Sequence, residues 1–145
     1  MKKVIFLDLA LVLMLSACGG VQANVPNDTY SKQTQAIVEN YMKAVKKHDS
    51  DALEALRADD YAFSDCSRSA NCYTTEGHAA NLYLTIWFGD PVHQFVFHSY
   101  NILPNGVFAV IQLSYKFPND GIPSFIPGTI ILKINNGKIK TETWY

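Results

Sequence analysis

The chain has 145 residues and carries 12 Lys and Arg against 13 Asp and Glu, a formal charge of −1. A balance this close to neutral excludes the electrostatic footprint of a nucleic-acid binder, and no run of like charge marks a basic or acidic tail. The length suits one domain built on one core.

The first element is a targeting segment. Met1-Lys2-Lys3 is a short positive start, Val4 to Met14 is mostly apolar, and Leu15-Ser16-Ala17-Cys18 follows. A basic start, an apolar run and small residues ahead of a cleavage point predict a secretory signal. The run is too short to span a bilayer as a mature helix, which needs about 20 apolar residues. It also carries Asp8, a costly residue in an inserting segment. Leu-Ser-Ala-Cys resembles the lipobox of bacterial lipoproteins. That resemblance implies cleavage before Cys18, acylation of Cys18 and a lipid-anchored envelope location. Gly19 after the cysteine, in place of Asp, implies the outer membrane facing the periplasm if the source is Gram-negative. Removing Lys2, Lys3 and Asp8 moves the formal charge from −1 to −2. The expected organisation is a signal peptide over 1–17, a lipidated cysteine with a flexible tether over 18–28, and one domain over 29–145. The tether reading rests on the small, polar, proline-containing run GGVQANVPN.

A helix is predicted from Thr29 to about Lys47, because Ile37, Val38, Tyr41, Met42, Ala44 and Val45 recur at helical spacing. His48-Asp49-Ser50 breaks it. A second short helix follows, with Asp51 as its cap and Glu54 three residues on. Asp60 to Ser64 alternates and reads as a first strand. Thr75 to Phe88 reads as a third helix with Ala79, Leu82, Tyr83, Ile86 and Trp87 on its inner face, ended by Gly89-Asp90-Pro91. The period then changes to two. Val92–Leu103 and Val107–Phe117 form a hairpin through Pro104-Asn105-Gly106. A loop with Pro118, Pro123 and Pro127 leads to a strand over 128–134. Asn135-Asn136-Gly137 then turns the chain into a last strand over 138–145. Helices ahead of a strand meander argue an α+β fold with three N-terminal helices packed on one face of an antiparallel sheet.

Of three cysteines, acylation consumes Cys18. Cys66 and Cys72 remain, an even pair in an oxidising compartment, and are expected to form a disulfide around a short polar loop. Such a loop contributes about 2 kcal/mol at most. Two cysteines without a partner cluster fall short of a zinc set, and no His, Asp or Glu group has metal-ligand spacing, so neither metal nor cofactor is expected. There is no phosphate-binding glycine loop and no nucleophile elbow.

Two stretches carry a wider resemblance. One is Ile37-Val38-Glu39-Asn40-Tyr41-Met42-Lys43-Ala44 with Asp49, Ala52-Leu53, Leu56 and Ala58-Asp59-Asp60. The other is Asn136-Gly137-Lys138-Ile139. Together with the element order, they make residues 30–145 resemble the nuclear transport factor 2-like superfamily, particularly its SnoaL-like and ketosteroid isomerase branches. The resemblance implies a cone-shaped fold, a curved sheet around helices with a pocket open at one end. Trp87, Tyr100 and Thr129 are expected to line that pocket. Carried over residue by residue, the ketosteroid isomerase pattern places an oxyanion-hole donor at Tyr41 and a general base at Asp65. It finds no acid near Thr129 or Ile130 for the second oxyanion donor. The implied chemistry is proton transfer next to a carbonyl. His98 is the alternative acid or base, beside Val96 and Tyr100.

An incomplete catalytic set favours a binding module for an apolar small molecule or a protein partner, attached to the membrane by its lipid. An isomerase, cyclase or dehydratase using Asp65 with Tyr41 or His98 is the first alternative. An immunity or assembly lipoprotein that dimerises through the sheet is the second.

Overall fold

The computed structural model describes residues 20–67 and 71–145. The predicted signal segment and Cys18 lie outside the described residues.

Helix α1 (Thr29–Lys47) begins where Asp28 caps it, accepting from the Ser31 amide at 2.9 Å and from the Ser31 hydroxyl at 2.6 Å. Those bonds hold the Asp28 carboxyl below its ordinary pKa. The predicted stripe is the buried one: Ile37, Val38, Tyr41, Met42, Ala44 and Val45 all face the core. His48 ends the helix in the left-handed region at φ 56°, with its Nδ1 2.8 Å from the Phe88 carbonyl oxygen. Helix α2 (Ser50–Leu56) is capped by Asp49, not by Asp51; the Asp49 carboxylate accepts from the Ala52 amide at 3.0 Å.

Among the described residues, seven strands form one sheet. They are β1 (Gln22–Asn24), β2 (Arg57–Asp65), β3 (Tyr73–Glu76), β4 (Gln94–Ile102), β5 (Phe108–Phe117), β6 (Ile122–Asn135) and β7 (Lys138–Trp144). Their spatial order is β1-β4-β5-β6-β7-β2-β3. The sheet is curved and unclosed, with three helices packed on it, helix α3 (Gly77–Gly89) being the third. It is mixed, not purely antiparallel as the meander predicts. β1 runs parallel to β4 and β2 runs parallel to β7, because both partners are reached through helices and not through tight turns. β1 lies inside the stretch that reads as a tether.

Two further differences have local causes. β3 occupies residues where helical spacing predicts the start of α3. β6 takes in Pro123 and Pro127, which read as loop. They are tolerated because the last strand and Tyr145 after it pair with β6 only from Thr129 onward, so the prolines lie where β6 has β5 on one side and no strand on the other.

Helix α3 carries no Asp, Glu, Lys or Arg, and its few polar residues, His78, Asn81 and Thr85, are too weak a pattern to fix its rotation. It buries Ala80, Leu84 and Phe88, with Tyr83 and Trp87 half-buried. Leu82 and Ile86, predicted to face inward, are 54% and 66% exposed.

Alternate residues of the strands meet the helices. Ile111, Leu113, Phe117, Ile130, Leu132 and Trp144 are all fully or almost fully buried. Register shifts in β2, β4, β5 and β6 mark irregularities that bend the strands.

Candidate functional site

The chemistry of the interior centres on Glu142, which has no solvent exposure. Its Oε1 accepts from the Tyr41 hydroxyl at 2.6 Å and from the Trp144 indole N–H at 2.7 Å. Its Oε2 accepts from the Tyr61 hydroxyl at 2.8 Å and lies 3.8 Å from Nη2 of Arg57. Three elements build this cluster: α1 supplies Tyr41, β2 supplies Arg57 at its start and Tyr61 in its middle, and β7 supplies Glu142 and Trp144. Sequence spacing hides it. Strict alternation from the buried Ile139 would turn Glu142 outward, but the register between β6 and β7 skips Lys140 and brings Glu142 and Trp144 to the inner face. The signal available in the sequence is Glu142 standing two residues before Trp144 in an otherwise sheet-like run.

The cluster is held by charge. Burial and the neighbouring Glu142 carboxylate, in that order of importance, push the Tyr41 and Tyr61 hydroxyls well above the ordinary phenol range. Both therefore remain donors. The Arg57 guanidinium lies over the Tyr61 ring at 4.9 Å and the Phe88 ring at 5.9 Å. Its N–H groups have no hydrogen-bond acceptor among the described residues.

The predicted site residues do not assemble as the ketosteroid isomerase pattern implies. Tyr41 is fully buried, and its hydroxyl is given to Glu142, not to Asp65. Asp65 is half-buried at the end of β2, where its Oδ1 accepts from the Ser67 amide at 2.9 Å and the Ser67 hydroxyl at 2.6 Å. This is a turn-forming arrangement beside a disulfide, Cys66–Cys72, whose Cα atoms are 4.2 Å apart. His98 is exposed on the outer face of the sheet, with Nε2 2.9 Å from Ser114 Oγ, because a register shift between Phe97 and Ser99 separates it from Tyr100. Thr129 also faces outward and donates to Gln112 at 3.1 Å, while Gly128 and Ile130 on either side face in. Neither His98 nor Thr129 lines the interior.

Tyr100 is buried between β4 and α1. It donates to Glu39 at 2.8 Å, and burial raises its hydroxyl to about 12. Trp87 is half-buried. It belongs to a ladder of rings: Tyr73, 57% exposed, stands 5.9 Å from Tyr83, Tyr83 stands 5.5 Å from Trp87, and Trp87 stands 4.7 Å from the buried Phe117. The ladder runs from solvent to core next to the Cys66–Cys72 turn. Among the described residues, no group of three His, Cys, Asp or Glu is arranged to hold a metal ion, and no helix is long and apolar enough to cross a membrane.

Similar folds occur in solved structures of low identity. A nuclear transport factor 2-like protein from Mesorhizobium loti is 18% identical over 86% of this chain and 98% of its own, with a TM-score of 0.74. A candidate polyketide cyclase from Sinorhizobium meliloti is 20% identical over 76% of this chain and 94% of its own, with a TM-score of 0.61. A candidate ketosteroid isomerase from Kribbella flavida is 19% identical over 79% of this chain and 78% of its own, with a TM-score of 0.60. No curated relative matches the chain. The model of the SnoaL-like domain family matches residues 38–142, from the buried stripe of α1 to the central carboxylate, and the chain belongs to that family.

Proposed function

We propose that this SnoaL-like protein is a lipid-anchored envelope protein that binds a small, largely apolar molecule and does not turn it over. The observation that carries the reading is the saturation of Glu142. Proton abstraction needs a base with a lone pair aimed at substrate. Glu142 has both oxygens occupied by three donors, with Arg57 alongside, and no exposure. Tyr41, the implied oxyanion donor, spends its proton on the same carboxylate. Such a cluster rigidifies the cone and does not turn over a substrate. The ring ladder Tyr73–Tyr83–Trp87 supports the binding half of the reading, since it offers an apolar, partly open wall. The lipobox-like Leu15-Ser16-Ala17-Cys18 supports the anchor.

Two experiments test these halves. Native mass spectrometry of the purified protein is expected to find a retained small molecule, lost in Trp87→Ala with the fold intact. Turnover of a carbonyl substrate that Asp65→Asn abolishes would establish the isomerase, cyclase or dehydratase alternative instead. Labelled palmitate is expected to enter the wild-type protein and not Cys18→Ser; equal labelling of the two would remove the anchor.

A further inference from the structure

The groove beside the start of the described chain is basic. Val21, Met42, Lys43, Lys46, Lys47 and Glu39 line a depression of about 340 Å³ between the entry to β1 and the C-terminal half of α1. Its floor is apolar and its rim carries three ammonium groups. One of them, Lys46, lies over the Phe97 ring at 5.7 Å. Acids stand beside them, hydrogen-bonded but still charged. Glu39 Oε1 accepts from Gln35 at 2.9 Å and from Tyr100 at 2.8 Å, and Asp49 accepts from the Ala52 amide at 3.0 Å. Three lysines against Glu39 and Asp49 still leave the rim net positive, on a chain of slightly negative overall charge.

Its place in the chain gives the patch a partner. Cys18 is three residues before Val21, and at about 3.5 Å per residue it is within roughly 10 Å of the groove whatever path the backbone takes. A lipid attached there brings this face to the bilayer first. We infer that Lys43, Lys46 and Lys47 dock on the headgroups of anionic phospholipids in the membrane that holds the lipid. They thereby fix the orientation of a domain that the lipid already holds at the surface. The diacylated cysteine that the lipobox implies is enough to hold the protein at the membrane, so the basic patch adds orientation and not attachment. The inference rests on acylation of Cys18, as proposed above.

The test uses the full-length, processed protein in vesicles of phosphatidylethanolamine with or without phosphatidylglycerol. Amine-reactive acetylation is read by peptide mass spectrometry. Lys133, exposed and on the outer face of the sheet, is the internal reference. In vesicles containing phosphatidylglycerol, Lys43, Lys46 and Lys47 are expected to react about five-fold more slowly than in neutral vesicles, as attraction of each lysine to the surface implies. High salt is expected to remove the protection. Lys43→Gln/Lys46→Gln should still float with vesicles but lose protection at Lys47. Protein that floats, carries lipid on Cys18 and shows equal lysine reactivity in both vesicles overturns the docking alone. Protein without lipid on Cys18 overturns the anchor and the docking with it.

Discussion

Glu142 sits where a charge is hardest to keep, and its neighbours show what keeps it there. Removing one partner of a buried charge pair leaves the other uncompensated, at a cost of about 3–5 kcal/mol. Glu142→Gln keeps the shape but gives an amide group to a position where Tyr41, Trp144 and Tyr61 all donate, and it strips Arg57 of its counter-charge. Destabilisation of that order is expected in urea unfolding; a change below about 1 kcal/mol would show that the cluster does not hold the fold. The tyrosines set a second expectation. Their folded-state pKa values lie above the unfolded value of about 10, so the folded state binds protons more tightly in alkali. Stability from these groups is complete below about pH 10 and is lost as pH rises, for Tyr100 through about 12. Denaturation midpoints measured across that range should fall, and the phenolate absorbance of Tyr41 and Tyr61 should appear only with unfolding. A flat stability profile with early ionisation of both would contradict the burial assigned to them.

At the scale of elements, the turns were the most legible. Asn105-Gly106 and Asn136-Gly137 both take positive φ, 89° and 66° in the first and 49° and 74° in the second, as hairpins with these residues require. Gly106 also passes close to α1: a Cβ there would stand 2.7 Å from the Tyr30 carbonyl carbon and 2.8 Å from the Ser31 nitrogen. Gly106→Ala therefore meets both a strained φ and a backbone wall. Its cost is expected to reach or exceed about 1–3 kcal/mol, checked by thermal melting. Gly137→Ala shares the φ but meets nothing within 4 Å, and should cost less. Helix α1 was legible because its apolar stripe and its polar face are both present. Helix α3 was legible as a helix but not in rotation, since it carries few polar residues and no Asp, Glu, Lys or Arg. The site was largely illegible. Tyr41 could be placed on the inner stripe, but its partner arrives from a strand whose register skips a residue, and alternation cannot foresee that skip. The same cause misplaced His98, beyond the shift at Phe97. Arg57 gave no periodic signal, because it stands at the junction between α2 and β2.

For the whole molecule, the consequence lies in where β7 sits. The last strand to be made is an interior strand: it pairs with β6 on one side and with β2 on the other. Until it arrives, β2 and β3 have no route into the sheet, and the Tyr41 and Tyr61 hydroxyls have no carboxylate to meet. A chain ending before Lys138 is expected to show no cooperative melting and poor amide dispersion in NMR spectra; a cooperative fold without β7 would refute this. Synthesis thus proceeds with the keystone missing. Nearly all of residues 29–145 must be present before the sheet can lock, so the domain stays pliable until β7 pairs with β6 and β2. It sets only once β7 arrives, through pairings distant in sequence of the kind that form slowly. An order of strands that looks like a detail of topology also works as a timer.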